Sequence, residues 1–105
     1  MNHFETRSGD LYCEDVALAD IAREVGTPVY VYSQATLERH FNVFREALRA
    51  HANLGEPLIA YAVKANGNVS VLRVLGALGA GADTVSEAEI RQALAAGIPA
   101  SRIVF

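Results

Sequence analysis

The sequence predicts an α/β fold: about three parallel strands with intervening helices, preceded by an N-terminal extension. Two observations carry the prediction. Strand candidates at 58–64, 82–85 and 102–105 alternate with segments of helical period, at a spacing of a little over 20 residues. The run Leu58-Ile59-Ala60-Tyr61-Ala62-Val63 is also continuously apolar, not alternating, as a strand buried on both faces reads.

The elements follow in order. Residues 1–14 mix polar and aromatic types, with a turn signal at Gly9-Asp10. From Asp15 an amphipathic helix sets Leu18, Ile21, Ala22 and Val25 on one face; Gly26 offers a left-handed cap and Pro28 forbids continuation. Val29-Tyr30-Val31-Tyr32 predicts a short strand. Ser33 is an N-cap for a helix that repeats Leu37, Phe41, Phe44 and Leu48 down to about His51. A loop covers 53–57. Strand 58–64 leads to a helix capped by Asn68, with Val71, Leu72, Leu75 and Leu78 on one face. Strand 82–85 leads to a helix opened by Ser86, carrying Ile90, Ala93 and Leu94 and stopped by Gly97 and Pro99. A third strand begins at Arg102. Tyr30, Tyr32, Phe41 and Phe44 are expected in the core. Three such strands fit a small open sheet or the first stretch of an eight-stranded barrel, which takes about 250 residues. The last run, Ile103-Val104-Phe105, has no terminating turn. The chain therefore reads as the N-terminal part of a longer protein. Residues 1–32 form the extension (helix plus short strand) and 33–105 the first βα units.

Composition narrows the functional classes. The 105 residues are 51% hydrophobic with a net charge of −3, which argues against disorder and against a nucleic-acid or anionic-membrane surface. No stretch approaches the roughly 18 apolar residues of a membrane span, and residues 1–7 lack a signal-peptide core. Cys13 is the only cysteine, which leaves no disulfide framework or cysteine metal site within the chain. A cytoplasmic location is expected. His3, His40 and His51 are expected at the surface, and no histidine spacing suggests a metal.

The chemistry concentrates at Tyr61-Ala62-Val63-Lys64-Ala65-Asn66-Gly67. A lysine ending a buried strand sits where βα units open toward their loops, the end at which parallel α/β folds place their reactive groups. Lysine forms Schiff bases with carbonyl compounds, and partial desolvation would free its amine. A generic strand-end lysine that snorkels to solvent is the structural alternative. Asp83 interrupts an apolar strand and needs a partner if buried. Ser86 and Glu89 form a Ser-x-x-Glu capping box, and that is their expected main role: hydroxyl to the Glu89 amide, carboxylate back to the Ser86 amide. Gly76, Gly79 and Gly81 follow a helix, so they are not a dinucleotide fingerprint.

Four segments resemble one family. Gly9-Asp10-Leu11-Tyr12 with Glu14-Asp15-Val16 and Ile21-Ala22 is similar to its opening, and Gly26-Thr27-Pro28-Val29-Tyr30-Val31-Tyr32-Ser33 to its next block. Tyr61-Ala62-Val63-Lys64-Ala65-Asn66 matches its cofactor-lysine motif. Leu78-Gly79-Ala80-Gly81-Ala82-Asp83-Thr84-Val85-Ser86 with Glu89-Ile90, and Ala96-Gly97-Ile98-Pro99, match the following βα unit. The chain thus resembles, over nearly its whole length, the diaminopimelate decarboxylases, fold-type III enzymes of the alanine-racemase-like barrel class.

The resemblance implies the N-terminal part of a (β/α)8 TIM barrel that binds pyridoxal 5'-phosphate. It implies that Lys64 forms the internal aldimine, and that the cofactor acts as electron sink while the α-carboxylate of an amino-acid substrate leaves as carbon dioxide. The reaction implied is meso-diaminopimelate to L-lysine, in a homodimer when full length. Asp83 and Glu89 match acidic positions near the cofactor lysine, and Ala62 and Ser86 match positions close to the same pocket. The family's usual Ser-Gly-Gly-Glu is here Ser86-Glu87-Ala88-Glu89. Its glycine-rich phosphate loop, ring-stacking histidine, pyridine-pairing acid and Cys-Glu-Ser segment are not among these residues, and Cys13 does not match the last of them. The residues as they stand are therefore expected to be an inactive fragment. An ornithine or arginine decarboxylase of the same fold, or a non-catalytic cofactor-binding or interaction module, are the alternatives. Ala65-Asn66-Gly67-Asn68 departs from the racemases' Ala-Asn-Ala-Tyr.

Overall fold

A computed structural model describes residues 2–51, 53 and 55–105; Leu54 of the predicted loop and Met1 of the N-terminal segment lie outside the described residues. The chain divides into two compact units, Met1–Leu37 and Glu38–Phe105.

The first unit holds a small antiparallel meander where only a turn was expected. β1 (Phe4–Arg7), β2 (Asp10–Cys13) and β3 (Val16–Ala17) pair in sequence order. Arg7 faces Asp10, so the reversal is made by Ser8-Gly9, one residue earlier than the sequence signal. Both turn residues have positive φ (52° and 92°), the requirement of the two-residue hairpin whose twist matches its strands. The Arg7 guanidinium closes over this hairpin, 4.8 Å from the Tyr12 ring, and donates to the Glu14 carbonyl at 2.9 Å. The helix expected from Asp15 begins later, as α1 (Leu18–Val25), because Val16 and Ala17 pair with Cys13 and Tyr12. Gly26 ends α1 by donating to the Ala22 carbonyl; its φ of 84° is positive, but ψ of 178° is not that of a left-handed cap.

Residues 29–32 form no strand, contrary to the propensity of Val-Tyr-Val-Tyr; a strand needs a ladder, and no described strand pairs with them. Tyr30 is 88% exposed and Tyr32 is exposed too, so the expectation of core tyrosines fails. Ser33 does cap α2 (Gln34–Arg49), its hydroxyl accepting from the Thr36 amide at 3.0 Å. The Glu14 carboxylate adds a second cap, accepting from the Ala35 amide at 2.8 Å and the Ser33 hydroxyl at 2.7 Å. These bonds hold the Glu14 carboxyl below its ordinary range. His3 is half-buried, not a free surface residue, with Nδ1 3.0 Å from the Thr36 hydroxyl.

The second unit contains the predicted parallel sheet. β4 (Ala60–Ala62), β5 (Gly81–Asp83) and β6 (Ile103–Val104) lie side by side in that order. α3 (Val69–Ala77) and α4 (Glu87–Ala95) make the two crossovers. β4 and β6 are cut short where 3₁₀ turns occupy 63–65 and 100–102, while β5 starts one residue before its predicted segment and ends at Asp83. The core is Val63, Leu72, Ala82, Ala93, Ala96 and Ile98, with Leu72 and Ala82 0% exposed. Val71 and Leu75 of the predicted α3 face are buried as expected. On α4 the buried residue is Ala93, while Leu94 is exposed. Of the aromatic residues on α2, Phe41 is buried and Phe44 exposed. Gly81 is needed for close approach: a Cβ there would run into the Arg102 carbonyl, since β6 passes directly beside it.

Candidate functional site

The ladder register fixes which residues share the carboxyl edge of the sheet. Ala62 faces Asp83, and Asp83 faces Val104. Beyond Ala62 the chain turns through Val63-Lys64-Ala65. Val63 points inward, 1% exposed, and anchors the turn in the core; Lys64 next to it is exposed. Lys64 is the only lysine in the chain. It takes part in none of the ion pairs among the described residues. The sequence places it at the end of the strand; the structure places it two residues past, on a turn.

The turn is tied down on its far side. The Tyr61 hydroxyl lies 3.4 Å from the Asn66 carbonyl it donates to. The Asn66 side-chain oxygen accepts from the Asn68 amide at 3.1 Å, and that of Asn68 caps α3 by accepting from the Ser70 amide at 2.9 Å. Two Asx turns in succession thus connect the lysine turn to the helix. Asn68 is legible as a cap in the sequence, whereas the turn role of Asn66, which stands in the lysine motif, is signalled only by Asn-Gly-Asn.

Asp83 ends β5 exposed, so it needs no buried partner. The next residue, Thr84, is buried, and its amide and hydroxyl both donate to the Val104 carbonyl at 2.8 Å. Ser86 and Glu89 are spent on the start of α4. The Ser86 hydroxyl accepts from the Glu89 amide at 3.2 Å, and the Glu89 carboxylate accepts from the Val85 amide at 2.7 Å. The return bond therefore falls on Val85, not on Ser86 as a standard capping box would have it. Of the five candidate residues, Ala62, Lys64 and Asp83 share the open edge, while Ser86 and Glu89 have their polar atoms committed to the helix.

A cleft of about 420 Å3 opens at the other end of the sheet, where Leu58-Ile59, Leu78-Gly79 and Ser101-Arg102 precede the strands. Its arginines are already engaged: Arg45 donates to the Leu78 carbonyl at 2.7 Å, Arg102 to that of Gly79, and Arg49 pairs with Glu56. Arg45 and Arg102 thus satisfy carbonyls just past the end of α3, and Arg49 is held in an ion pair, which is structural work.

Residues 34–105 match the family described as pyridoxal-dependent decarboxylase, pyridoxal binding domain. The chain belongs to this family. Pyridoxal-dependent decarboxylases with similar sequences include diaminopimelate decarboxylases from Vibrio cholerae (47% identical, covering 100% of this chain and 24% of that protein) and Pseudomonas fluorescens (48%, 100% and 24%). A crystal structure of diaminopimelate decarboxylase from M. jannaschii in co-complex with L-lysine superposes with a TM-score of 0.91 at 32% identity, over 99% of this chain and 24% of that one. The chain thus spans about a quarter of the length of the relatives it matches. The cofactor of the pyridoxal-dependent decarboxylases is pyridoxal phosphate, and the edge described above fits it. Lys64, exposed on the turn two residues past Ala62, supplies an amine at the end of the parallel sheet where Asp83 closes β5.

Proposed function

We propose that this segment offers the attachment point for pyridoxal 5'-phosphate in an amino-acid decarboxylase, and that the whole protein converts meso-diaminopimelate to L-lysine and carbon dioxide. The observation that carries the reading is the placement of Lys64, the chain's one lysine, exposed on the turn leaving β4. The similarity to diaminopimelate decarboxylases over the full chain supports the substrate, as does the relative solved with L-lysine.

When bound, pyridoxal phosphate supplies an aldehyde for an amine and a ring that draws off the electron pair a departing carboxylate leaves behind. Lys64 Nζ, exposed on its turn, is the amine that would hold the cofactor through its aldehyde. Asp83, one strand along, presents a carboxylate that orients the polar parts of the bound molecules. Ala62 has only a methyl group, which leaves room for a flat ring against the strand end. Ser86 and Glu89 would contribute by fixing the start of α4, the helix that follows Asp83.

The free edges of β4 and β6 are unpaired among the described residues. In the whole protein we place β4 first in an eight-stranded barrel in which further strands cover both edges. Residues 1–32 are then an extension and 33–105 the opening of the barrel domain, a division supported by the family match starting at residue 34. A cytoplasmic homodimer is the assembly proposed.

Carbon dioxide release by the intact protein tests the substrate. Release from meso-diaminopimelate, lost in Lys64→Ala, is the expected result. Release from ornithine or arginine instead would reassign the substrate. Release from none of the three, with cofactor still bound, would favour a non-catalytic module.

A further inference from the structure

We propose that Gln92 is a positioning residue for Lys64, acting through Gly67. The proposal rests on the role of Lys64 given above. Gly67 lies three residues past Lys64, in the segment between its turn and α3. A Cβ at position 67 would stand 3.0 Å from Gln92 Oε1, 3.4 Å from Nε2 and 3.5 Å from Cδ. The flat amide of Gln92 is therefore seated against the bare Cα. Glycine is not required here by backbone conformation, because Gly67 is not among the residues of positive φ. What it provides is room for the amide to come close.

The rest of α4 makes that contact firm. Ala93, the neighbour of Gln92, is fully buried in the same cluster as Val63, the first residue of the lysine turn. One helix thus braces the segment at two places, through Ala93 near Val63 and through Gln92 at Gly67, and Lys64 lies between them. The Tyr61 hydroxyl at the Asn66 carbonyl adds a third tie from β4. The lysine side chain is long and flexible, so the position of its backbone decides which volume Nζ samples. A displacement of about 1 Å in a reacting group can cost on the order of a hundredfold in rate.

The test uses the intact protein and two readouts. In the cofactor-free form, hydrogen exchange of the 63–67 amides is measured. On adding pyridoxal phosphate, the rate of borohydride-trapped cofactor on the Lys64 peptide is followed by mass spectrometry. Gln92→Ala is expected to speed exchange and slow trapping, each by about tenfold. Gly67→Ala, which pushes the amide away, is expected to do the same in the parent and to add nothing in the Gln92→Ala background. Gln92→Met, which keeps the bulk, is expected to restore trapping. Unchanged exchange and trapping in Gln92→Ala, or additive effects of the two substitutions, would overturn the proposal. Should trapping in the parent fall elsewhere than Lys64, the reading of the site fails, while the exchange result still decides whether Gln92 braces the turn.

Discussion

The Ser86 hydroxyl and the Glu89 carboxylate close the start of α4 on different residues: Ser86 receives the Glu89 amide, and Glu89 reaches back past Ser86 to the Val85 amide. Both candidate site residues are thereby engaged in holding a helix end. Replacing Ser86 with Ala is expected to cost about 1 kcal/mol of stability, as for other lost N-caps, while Ser86→Thr costs less. Thermal unfolding of the intact variants measures this. Loss of bound cofactor in Ser86→Ala where the variant is still folded, with binding kept in Ser86→Thr, would show that the hydroxyl contacts the cofactor instead.

Glu14 makes the first unit sensitive to acid. Its carboxyl is held low first by the Ala35 amide and then by the Ser33 hydroxyl. A carboxyl lowered in the folded state stabilises fully above its unfolded value, about 4.3, and the contribution is lost as pH falls through the lower folded value. Unfolding followed from pH 7 downward should therefore show stability dropping below about pH 5. Glu14→Gln should be less stable at neutral pH and flatter across that window. An equal slope in both proteins would refute the assignment.

Gly81 is the least replaceable position of the sheet. A methyl there meets the carbonyl of Arg102, the residue that leads into β6, whose Ile103 pairs with Ala82 in the β5–β6 ladder. Gly81→Ala is expected to destabilise by several kcal/mol, in the range of severe core overpacking. Denaturant unfolding would measure it; a change under about 1 kcal/mol would mean the strands separate more easily than the register implies.

The 105 residues expressed alone are expected to self-associate. Phe105, Val104 and Val85 are exposed near the open end of the sheet, and Phe44 is 55% exposed on α2. Free strand edges beside such residues favour pairing between chains. Sedimentation reporting a monodisperse monomer would contradict this.

The parallel unit was readable because its signals are local: continuous apolar runs, Asn68 and Ser86 ahead of their helices, glycines after them. Lys64 stood out for the same reason. The strand ends were not readable, since Val63 continues the apolar pattern of β4 although it already belongs to a turn. Residues 29–32 have the composition of a strand but pair with no strand among the described residues, and partnership is not written in the segment itself. The N-terminal meander was hidden for the opposite reason. Glu5, Arg7 and Asp10 give its strands little apolar alternation, and its first turn has a serine at positive φ. The contact between Gln92 and Gly67 spans two elements, and no spacing rule predicts it.

The most direct measurement is peptide mapping of the intact protein after incubation with pyridoxal phosphate and borohydride reduction. The added cofactor mass is expected on the peptide containing Lys64, and Lys64→Ala is expected to abolish it. Cofactor retained on a different lysine, with the Lys64 peptide unmodified, would contradict the assignment.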